Sequence, residues 1–521
     1  MTDHLITLDR LFTNDRFKVP LSHPGLKING IITDSRQVKP GNLFVAIKGG
    51  HLNGHDFIQD AVAKGAVAVV GTEPGLALDV PYIFMNDTQQ ALPYLVAAFY
   101  EHPARKLTVI GVTGTDGKTT TTNLIYQILL AAGIRVGMVS TVNAVIGDQI
   151  LDTGFHVTTP EAQDVQKYLQ EMVSAGLTHV VLEATSHGLS QYRVDACEFD
   201  LAVITNITHE HLDYHESYEN YRAAKARLFT MLGQTLQKQQ GNYRVAVLNA
   251  DDSAYGFLSD LMGKLPGVSE ISYSLEPPAG VWAEQSILTP LGIEFHAVSE
   301  KYRFPVQSHL TGLYNISNCL AAIAATMNGM EIPWEFVQKG IANLPGIPGR
   351  MERIDLGQDF MAIVDFAHTP NALRASIEAA RQLTQGRVIV VFGSAGLRDR
   401  AKRYMMAETA VQLANFTVLT AEDPRTESLE LILNEMAEGA KHQGGTEGKD
   451  FWRIPDRGEA IRFAVNQAKA GDVVIACGKG HEQSMCFGVI EYPWDDRVAM
   501  RSALAQRLGI LGLAMPELPT S

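Results

Sequence analysis

Residues 111–125 read GVTGTDGKTTTTNLI, and their types and order suit one task, the holding of phosphate groups. An apolar strand feeds a glycine-rich turn, and Lys118 and Thr119 then open a helix. Backbone N–H groups in such a turn cradle phosphate oxygens, and the positive end of the helix dipole adds to the attraction. Gly114, Thr115, Asp116, Gly117, Lys118, Thr119 and Thr120 are the expected contacts. The Lys118 ammonium would reach the β- and γ-phosphates, and the Thr119 hydroxyl would meet Mg2+. The strict pattern asks for glycine where Val112 stands, with Gly111 and Gly114 on either side. The expected ligand is a nucleoside triphosphate.

Phosphate binding does not name a reaction. Two other apolar runs end in polar groups: HVVLEATSH with Glu183, Thr185 and His187, and LAVITNITHEHLDYH with His209, Glu210, His211, Asp213 and His215. In an open α/β sheet, ligands gather beyond the carboxyl ends of the strands, so Glu183 and the 209–215 cluster are placed to meet the triphosphate and its metals. The His-x-His spacing is equally the composition of a solvated loop. Lys225, in YRAAKARLF, reads by spacing alone as a solvated helix lysine.

The elements that must position these residues are legible as a rhythm. Apolar, β-branched runs recur at 107–112, 179–184, 201–206, 245–250, 361–366, 387–393, 416–421 and 472–478, with helical patterns between them. Continuous apolar strands alternating with helices predict an α/β fold of parallel sheets covered on both faces. One boundary is expected near residue 105 and another in LPGIPGRM at 344–351, giving units 1–105, 106–346 and 347–521.

Composition narrows the class. The 521 residues carry 43 lysines and arginines against 57 acidic residues, a net charge of −14. Such a chain has no electrostatic footprint for a nucleic-acid backbone or an anionic membrane surface. Four scattered cysteines, Cys197, Cys319, Cys477 and Cys486, form no C-x-x-C pair and suit a reducing compartment. The start MTDHLITLDRLF lacks a secretory pattern, and no apolar run approaches membrane length, so a cytoplasmic chain without membrane insertion is expected.

Taken together, GVTGTDGKTTTT, TTPEAQDVQKYL, EATSHGLSQYRV, TNITHEHLDYH, AAKARLF, NADD, GLYNISN, PGRME, DFAHTPNAL, FGSAGLRDRAKR, EDPRTE and GKGHE resemble, in order, the Mur ligase family of ATP-dependent amide-forming enzymes. The resemblance spans about residues 30 to 500. With DSRQVKPGNLFVAIKG, it points to members that add a diamino acid to UDP-N-acetylmuramoyl-L-alanyl-D-glutamate. It implies three α/β domains: an N-terminal uridine-nucleotide domain, a central P-loop-type parallel sheet with the ATPase site, and a C-terminal Rossmann-like domain for the amino acid. It further implies small-molecule substrates only and a monomer.

Residue by residue, the resemblance places Mg2+ on Thr119 and Glu183, a second Mg2+ on His211, and a CO2-derived carbamate on Lys225. Asn315, Arg350, Asp365 and His368 would complete the ATP site. Thr33, Ser35, Thr158, Thr159, Thr185, Gln191 and Arg193 would hold the UDP-substrate, with Val157 and Glu210 departing from common family residues. Arg398, Glu422, Asp423, Pro424, Arg425, Gly478 and Glu482 would hold the amino acid. Lys118, Glu183, His211 and Lys225 form the implied catalytic set. Diaminopimelate enzymes of the family carry Asp-Asn-Pro-Arg, and here the row reads Glu422-Asp423-Pro424-Arg425. Arg425 favours a substrate with a distal carboxylate, diaminopimelate, whereas the extra charge of Asp423 suits the bare ammonium of lysine or ornithine. A folylpolyglutamate synthetase-like ligase and a non-catalytic nucleotide-binding regulator are the rival readings.

Overall fold

The computed structural model describes residues 5–13, 17, 19–49, 52–151, 159–208, 212–289 and 292–520. Among them, sheets of four, eleven and six strands follow one another along the chain. The first runs Gly30–Ile32, Asn42–Val45, Ala68–Gly71 and Tyr82–Phe84, all parallel. Leu43, Val45 and Val70 turn to one face and pack with Leu92, Leu95 and Phe99 of the helix Thr88–Phe99. Phe44 and Val69 turn to the other and pack with Ile58 and Ala61, the period-two alternation of a strand.

The central sheet is built on the strand Thr108–Thr113. His179–Glu183 pairs with it on one side and Leu201–Ile204 on the other, both parallel. Ile110 and Val112 share a core with Leu124, Ile125 and Ile128 of the helix Lys118–Ala131. Val109 faces the opposite core, with Phe199, Leu228 and Phe229. Both faces being apolar, the strand reads in the sequence as one unbroken run.

The expectation of a parallel sheet needs one amendment. Val281–Thr289, Gly292–Val298 and Arg303–Ser308 extend the sheet as an antiparallel meander. Ala144–Ile146 and Gln149–Leu151 form an antiparallel border at the opposite edge. Arg303–Ser308 alternates exposed and buried residues. A strand buried on one face leaves a fainter mark than a doubly covered one.

In the third sheet Met361–Asp365, Val473–Cys477, Val388–Phe392, Phe416–Leu419 and Phe451–Arg453 lie side by side and parallel, with Glu352–Ile354 antiparallel at the edge. Val473–Cys477, late in the chain, sits in the middle. The connections therefore cross over at that point, and a crevice opens beyond the strands' carboxyl ends. No helix among the described residues is long and apolar enough to cross a membrane.

Candidate active site

The phosphate loop is pinned by the neighbouring strand. Thr115 and Asp116 donate their backbone N–H groups to the Asn206 carbonyl and side-chain Oδ1, at 2.8 and 2.9 Å. The Thr115 hydroxyl meets the Tyr221 hydroxyl at 2.9 Å and accepts the Thr208 N–H, also at 2.9 Å. Two glycines are required by space as well as by backbone angle. Gly114 has φ +149°, and a Cβ there would come within 1.8 Å of Thr205 Oγ1; Gly117 has φ +80°, and a Cβ would come within 2.2 Å of Asn318 Oδ1. Val112, the departure from the strict pattern, is buried inside the strand, and Gly114 makes the turn in its stead. Lys118 folds back over the loop, donating to the carbonyls of Gly114 and Thr115 at 3.2 and 2.8 Å.

Glu183, at the carboxyl end of the adjacent strand, is buried and faces the start of the phosphate helix. Its carboxylate accepts the Thr119 hydroxyl at 3.0–3.1 Å. It also accepts the backbone N–H and the hydroxyl of Thr141, at 3.0 and 2.9 Å. Mg2+ prefers a few oxygen ligands and keeps waters and phosphate oxygens for the rest. A hydroxyl and a carboxylate side by side at a phosphate loop fit that ion. Among the described residues no group of three or more His, Cys, Asp or Glu side chains is placed to hold a metal by itself.

Thr141 was not singled out from the sequence. It follows the strand Val136–Val139, and the rule that found Glu183, polar groups just past a strand end, applies to it equally. Asn206, just past the strand Leu201–Ile204, was missed in the same way, whereas Asn318 sits within the helix Tyr314–Ile323, where that rule gives no signal.

One cavity of about 560 Å3 collects the pieces. Residues 115–120, Thr141, Glu183, Thr185, Asn206 and Asn315 line it from the central unit, and Arg350, Asp365, His368, His481 and Glu482 line it from the C-terminal unit. Asp365 is already engaged: Oδ1 accepts the Met351 N–H at 2.8 Å and Oδ2 the Ser376 hydroxyl at 2.5 Å. It therefore braces the linker that carries Arg350. The Arg350 guanidinium lies 4.3 Å from the Phe366 ring centroid, and its Nε has no hydrogen-bond partner among the described residues. Asn315 donates to the Thr311 carbonyl and accepts from Asn318, each at 2.8 Å. His368 Nδ1 sits 3.0 Å from the Phe366 carbonyl oxygen. His481, from GKGHE, was given no role by the sequence. Burial, with the charge of Arg350 beside it, pushes its pKa down to about 3, so it is neutral at working pH.

The expected amino-acid residues lie together on loops at the third sheet's carboxyl ends. Of these only Glu482 lines the cavity. Asp423 differs from its expected role. Its carboxylate accepts from the buried Lys479 ammonium at 2.9 and 3.0 Å and from the Cys486 N–H at 2.9 Å. Its charge is thus spent inside the protein and is not presented to a substrate ammonium. Lys479 also pairs with Glu482; burial works to lower its pKa, but Glu482 and Asp423 outweigh that and hold it raised. Arg425 is anchored through its backbone, donating to the Cys486 carbonyl at 3.1 Å, with φ +55°. Glu422 and Pro424 are buried, Arg425 is half-buried and Arg398 is exposed.

On the UDP-substrate side, Thr159 and Thr185 hydroxyls meet at 3.0 Å, and Arg193 donates to the Thr159 carbonyl at 2.8 Å. Gln191 donates to the Tyr214 hydroxyl at 3.2 Å. Thr33 accepts from Gln163 at 3.0 Å, which joins the first unit to the second, and Ser35 is buried nearby. Val157, Thr158, His209, Glu210 and His211 lie outside the described residues. Lys225 is not a solvated helix lysine. It is 1 % exposed, donates to the Gly114 carbonyl, and its ammonium lies 4.5 Å from the Tyr221 ring centroid.

Comparison with known proteins agrees with this layout. Three domain families match in order: Mur ligase family, catalytic domain, at residues 27–100; Mur ligase middle domain at 112–326; and Mur ligase, glutamate ligase domain, at 349–480. A UDP-N-acetylmuramoyl-L-alanyl-D-glutamate–2,6-diaminopimelate ligase of Geobacillus thermodenitrificans is 40% identical over 475 residues, 91% of this chain and 94% of that one. A UDP-N-acetylmuramyl-tripeptide synthetase of a Roseiflexus species is 42% identical over 489 residues, 92% and 95% of the two chains. A solved UDP-N-acetylmuramoyl-L-alanyl-D-glutamate–2,6-diaminopimelate ligase superposes with a TM-score of 0.67 at 31% identity, covering 96% of this chain and 99% of its own.

Proposed function

This chain belongs to the Mur ligase family, and from that premise we propose that it joins meso-diaminopimelate to UDP-N-acetylmuramoyl-L-alanyl-D-glutamate at the expense of ATP. The observation that carries the reading is the shared cavity, lined by a phosphate loop with Glu183 on one side and by Arg350, His481 and Glu482 on the other. A ligase must bring a phosphoryl donor and an amine to one carboxylate. This cavity joins the two units that would supply them.

In the first step an oxygen of the substrate's terminal D-glutamate carboxylate attacks the γ-phosphorus of ATP. The bond to the β–γ bridging oxygen breaks, and ADP leaves with its electron pair. The amine nitrogen of the diamino acid then attacks the acyl carbon. The tetrahedral adduct expels inorganic phosphate and loses a proton from nitrogen, leaving the amide. Lys118 and the N–H groups that open the helix at 118–120 bear the charge that develops on the phosphates, and such preorganised donors are the main contribution a protein makes to phosphoryl transfer. Thr119 and Glu183 would hold Mg2+, which when bound neutralises phosphate charge. Lys225 is read as the carbamylated lysine of this family, one amine hydrogen replaced by a carboxylate from CO2 with release of a proton. Its burial against the loop carbonyl of Gly114 supports that reading.

Selection of the amine falls to the loops at 422–425 and 478–482. With Asp423 paired to Lys479, the Arg425 guanidinium is a cation in the set whose planar fork suits a distal carboxylate. That supports diaminopimelate over lysine and ornithine. The division 1–105, 106–346 and 347–521 is part of the same reading, as are a cytoplasmic setting and a monomer, since the cavity is completed within one chain.

The test is product mass and phosphate release with ATP, Mg2+ and UDP-N-acetylmuramoyl-L-alanyl-D-glutamate, offering meso-diaminopimelate, L-lysine and L-ornithine separately. Turnover with diaminopimelate at least about tenfold above the other two in kcat/KM is expected, the discrimination that one buried polar contact supplies. Preference for lysine or ornithine, or turnover with none, refutes the assignment.

A further inference from the structure

The loops assigned above to the amino acid rest on a buried charge pair that neither chemical step uses. Arg457 and Asp496 are both fully buried. They meet through two parallel hydrogen bonds, Nε to Oδ1 and Nη2 to Oδ2, each 2.7 Å. The same guanidinium donates from Nη1 to the Ala421 carbonyl at 3.1 Å and from Nη2 to the Cys477 carbonyl at 2.8 Å. Trp494 Nε1 donates to Asp496 Oδ1 at 2.8 Å and fixes the carboxylate from behind.

The two carbonyls belong to strand ends that do not touch. Cys477 ends Val473–Cys477 and Ala421 follows Phe416–Leu419, while Val388–Phe392 runs between those strands. The sheet ladder therefore sets the spacing of the two ends only through an intervening strand, whereas the guanidinium ties them directly. The residues that follow the tied carbonyls are Glu422 and Gly478, which are packed face to face. A Cβ on Gly478 would lie 2.3 Å from Glu422 Oε2. That Oε2 is buried with no hydrogen-bond partner among the described residues.

Arg457 is expensive where it stands. It is the first residue of the helix Arg457–Gln467, where the dipole opposes a cation. A buried ion pair also pays for the loss of water around both charges. What it gives in return is a rigid fork able to reach an anion and two carbonyls at once, which lysine cannot do.

We infer that Arg457, held by Asp496 and Trp494, is a positioning residue that sets the separation of the two halves of the amino-acid site and so the fit of the diamino acid. This rests on the reading that the loops at 422–425 and 478–482 bind the amino acid. Burial raises the Glu422 carboxyl above the usual range, and Lys402, Arg457 and His368 oppose that rise.

The test is steady-state kinetics of the full-length enzyme with each substrate varied in turn. Arg457→Lys keeps the charge but loses the fork; Trp494→Phe removes one hydrogen bond from Asp496. Arg457→Lys is expected to raise the KM for diaminopimelate about tenfold or more, as a small misplacement of binding groups does, with KM for ATP and for the UDP-substrate within about twofold of wild type. Trp494→Phe should move the diaminopimelate KM in the same direction, by about two- to threefold, and it decides the matter on the same terms if Arg457→Lys does not fold. A parallel rise in all three KM values, or an unchanged diaminopimelate KM, overturns the inference. Arg425→Ala, measured alongside, separates the two claims. If it raises the diaminopimelate KM and Arg457→Lys does not, the site reading stands and this inference falls; if neither does, both fall.

Discussion

On the central sheet, the phosphate site is a run of consecutive residues, 114–120, whose backbone is pinned by Asn206 and Thr205 on the next strand and whose turns leave no room for a Cβ. On the C-terminal sheet, the expected amino-acid site is drawn from three separated segments around Arg398, 422–425 and 478–482, the last two tied by buried charges. On the proposed reading, the first arrangement would hold phosphate with main-chain groups that every sequence possesses and only a few backbones present. The second would read its ligand with side chains, so one substitution could retune it.

The largest effect should come from the shared half. Lys118→Ala removes the one mobile cation of the loop and should lower kcat by about a thousandfold or more in a phosphate-release assay. A loss below about tenfold would mean that the loop does not serve phosphoryl transfer. Lys225→Ala should follow, with turnover down by about a hundredfold; the side chain is fully buried, so its loss leaves a cavity and should also lower the thermal midpoint, and the folded state is checked by circular dichroism. Near-normal turnover would remove both Lys225 and its carbamate from the mechanism.

Arg425→Ala probes the tunable half. It should raise the KM for diaminopimelate about ten- to a hundredfold while leaving the KM for ATP within about twofold, the cost of losing one charged pair to a carboxylate. Equal effects on both would dissolve the division between the two halves. The smallest effect concerns stability. His481 is held neutral in the fold by burial at a pKa near 3, below its unfolded value of 6.5. The unfolded chain therefore binds a proton that the fold refuses, so stability is intact above pH 6.5 and falls as pH drops towards about 3. His481→Gln should flatten the decline of the thermal midpoint between pH 6.5 and pH 5 relative to wild type, by a few degrees. An unchanged slope would show that His481 is not held neutral.

How much of this was legible in the residues follows the same contrast. The phosphate loop and Glu183 were readable because a strand, a glycine turn and a Lys-Thr helix start are contiguous, and because strand ends collect ligands. The doubly covered strands were readable as apolar runs. The antiparallel border Val281–Ser308 was not: Arg303–Ser308 alternates exposed and buried residues and Val281–Thr289 carries an exposed stretch, so neither reads as an apolar run. Thr141 was within reach of the strand-end rule. Lys479 and Arg457 were not. Nothing in GKGHE or PDRGEA says that a lysine is fully buried between two acids, or that an arginine at a helix start reaches carbonyls 36 and 20 residues away. The role of Asp423 depended on that missing partner, and its carboxylate is paired inside the protein once Lys479 is in place.

The most direct test of the central claim, that one half transfers phosphate and the other selects the amine, is to trap the acyl phosphate by borohydride reduction in enzyme given ATP, Mg2+ and the UDP-substrate but no amino acid. Wild type and Arg425→Ala should give the reduced alcohol to similar extent, and Lys118→Ala none. Loss of the intermediate in Arg425→Ala, or its persistence in Lys118→Ala, would contradict the division.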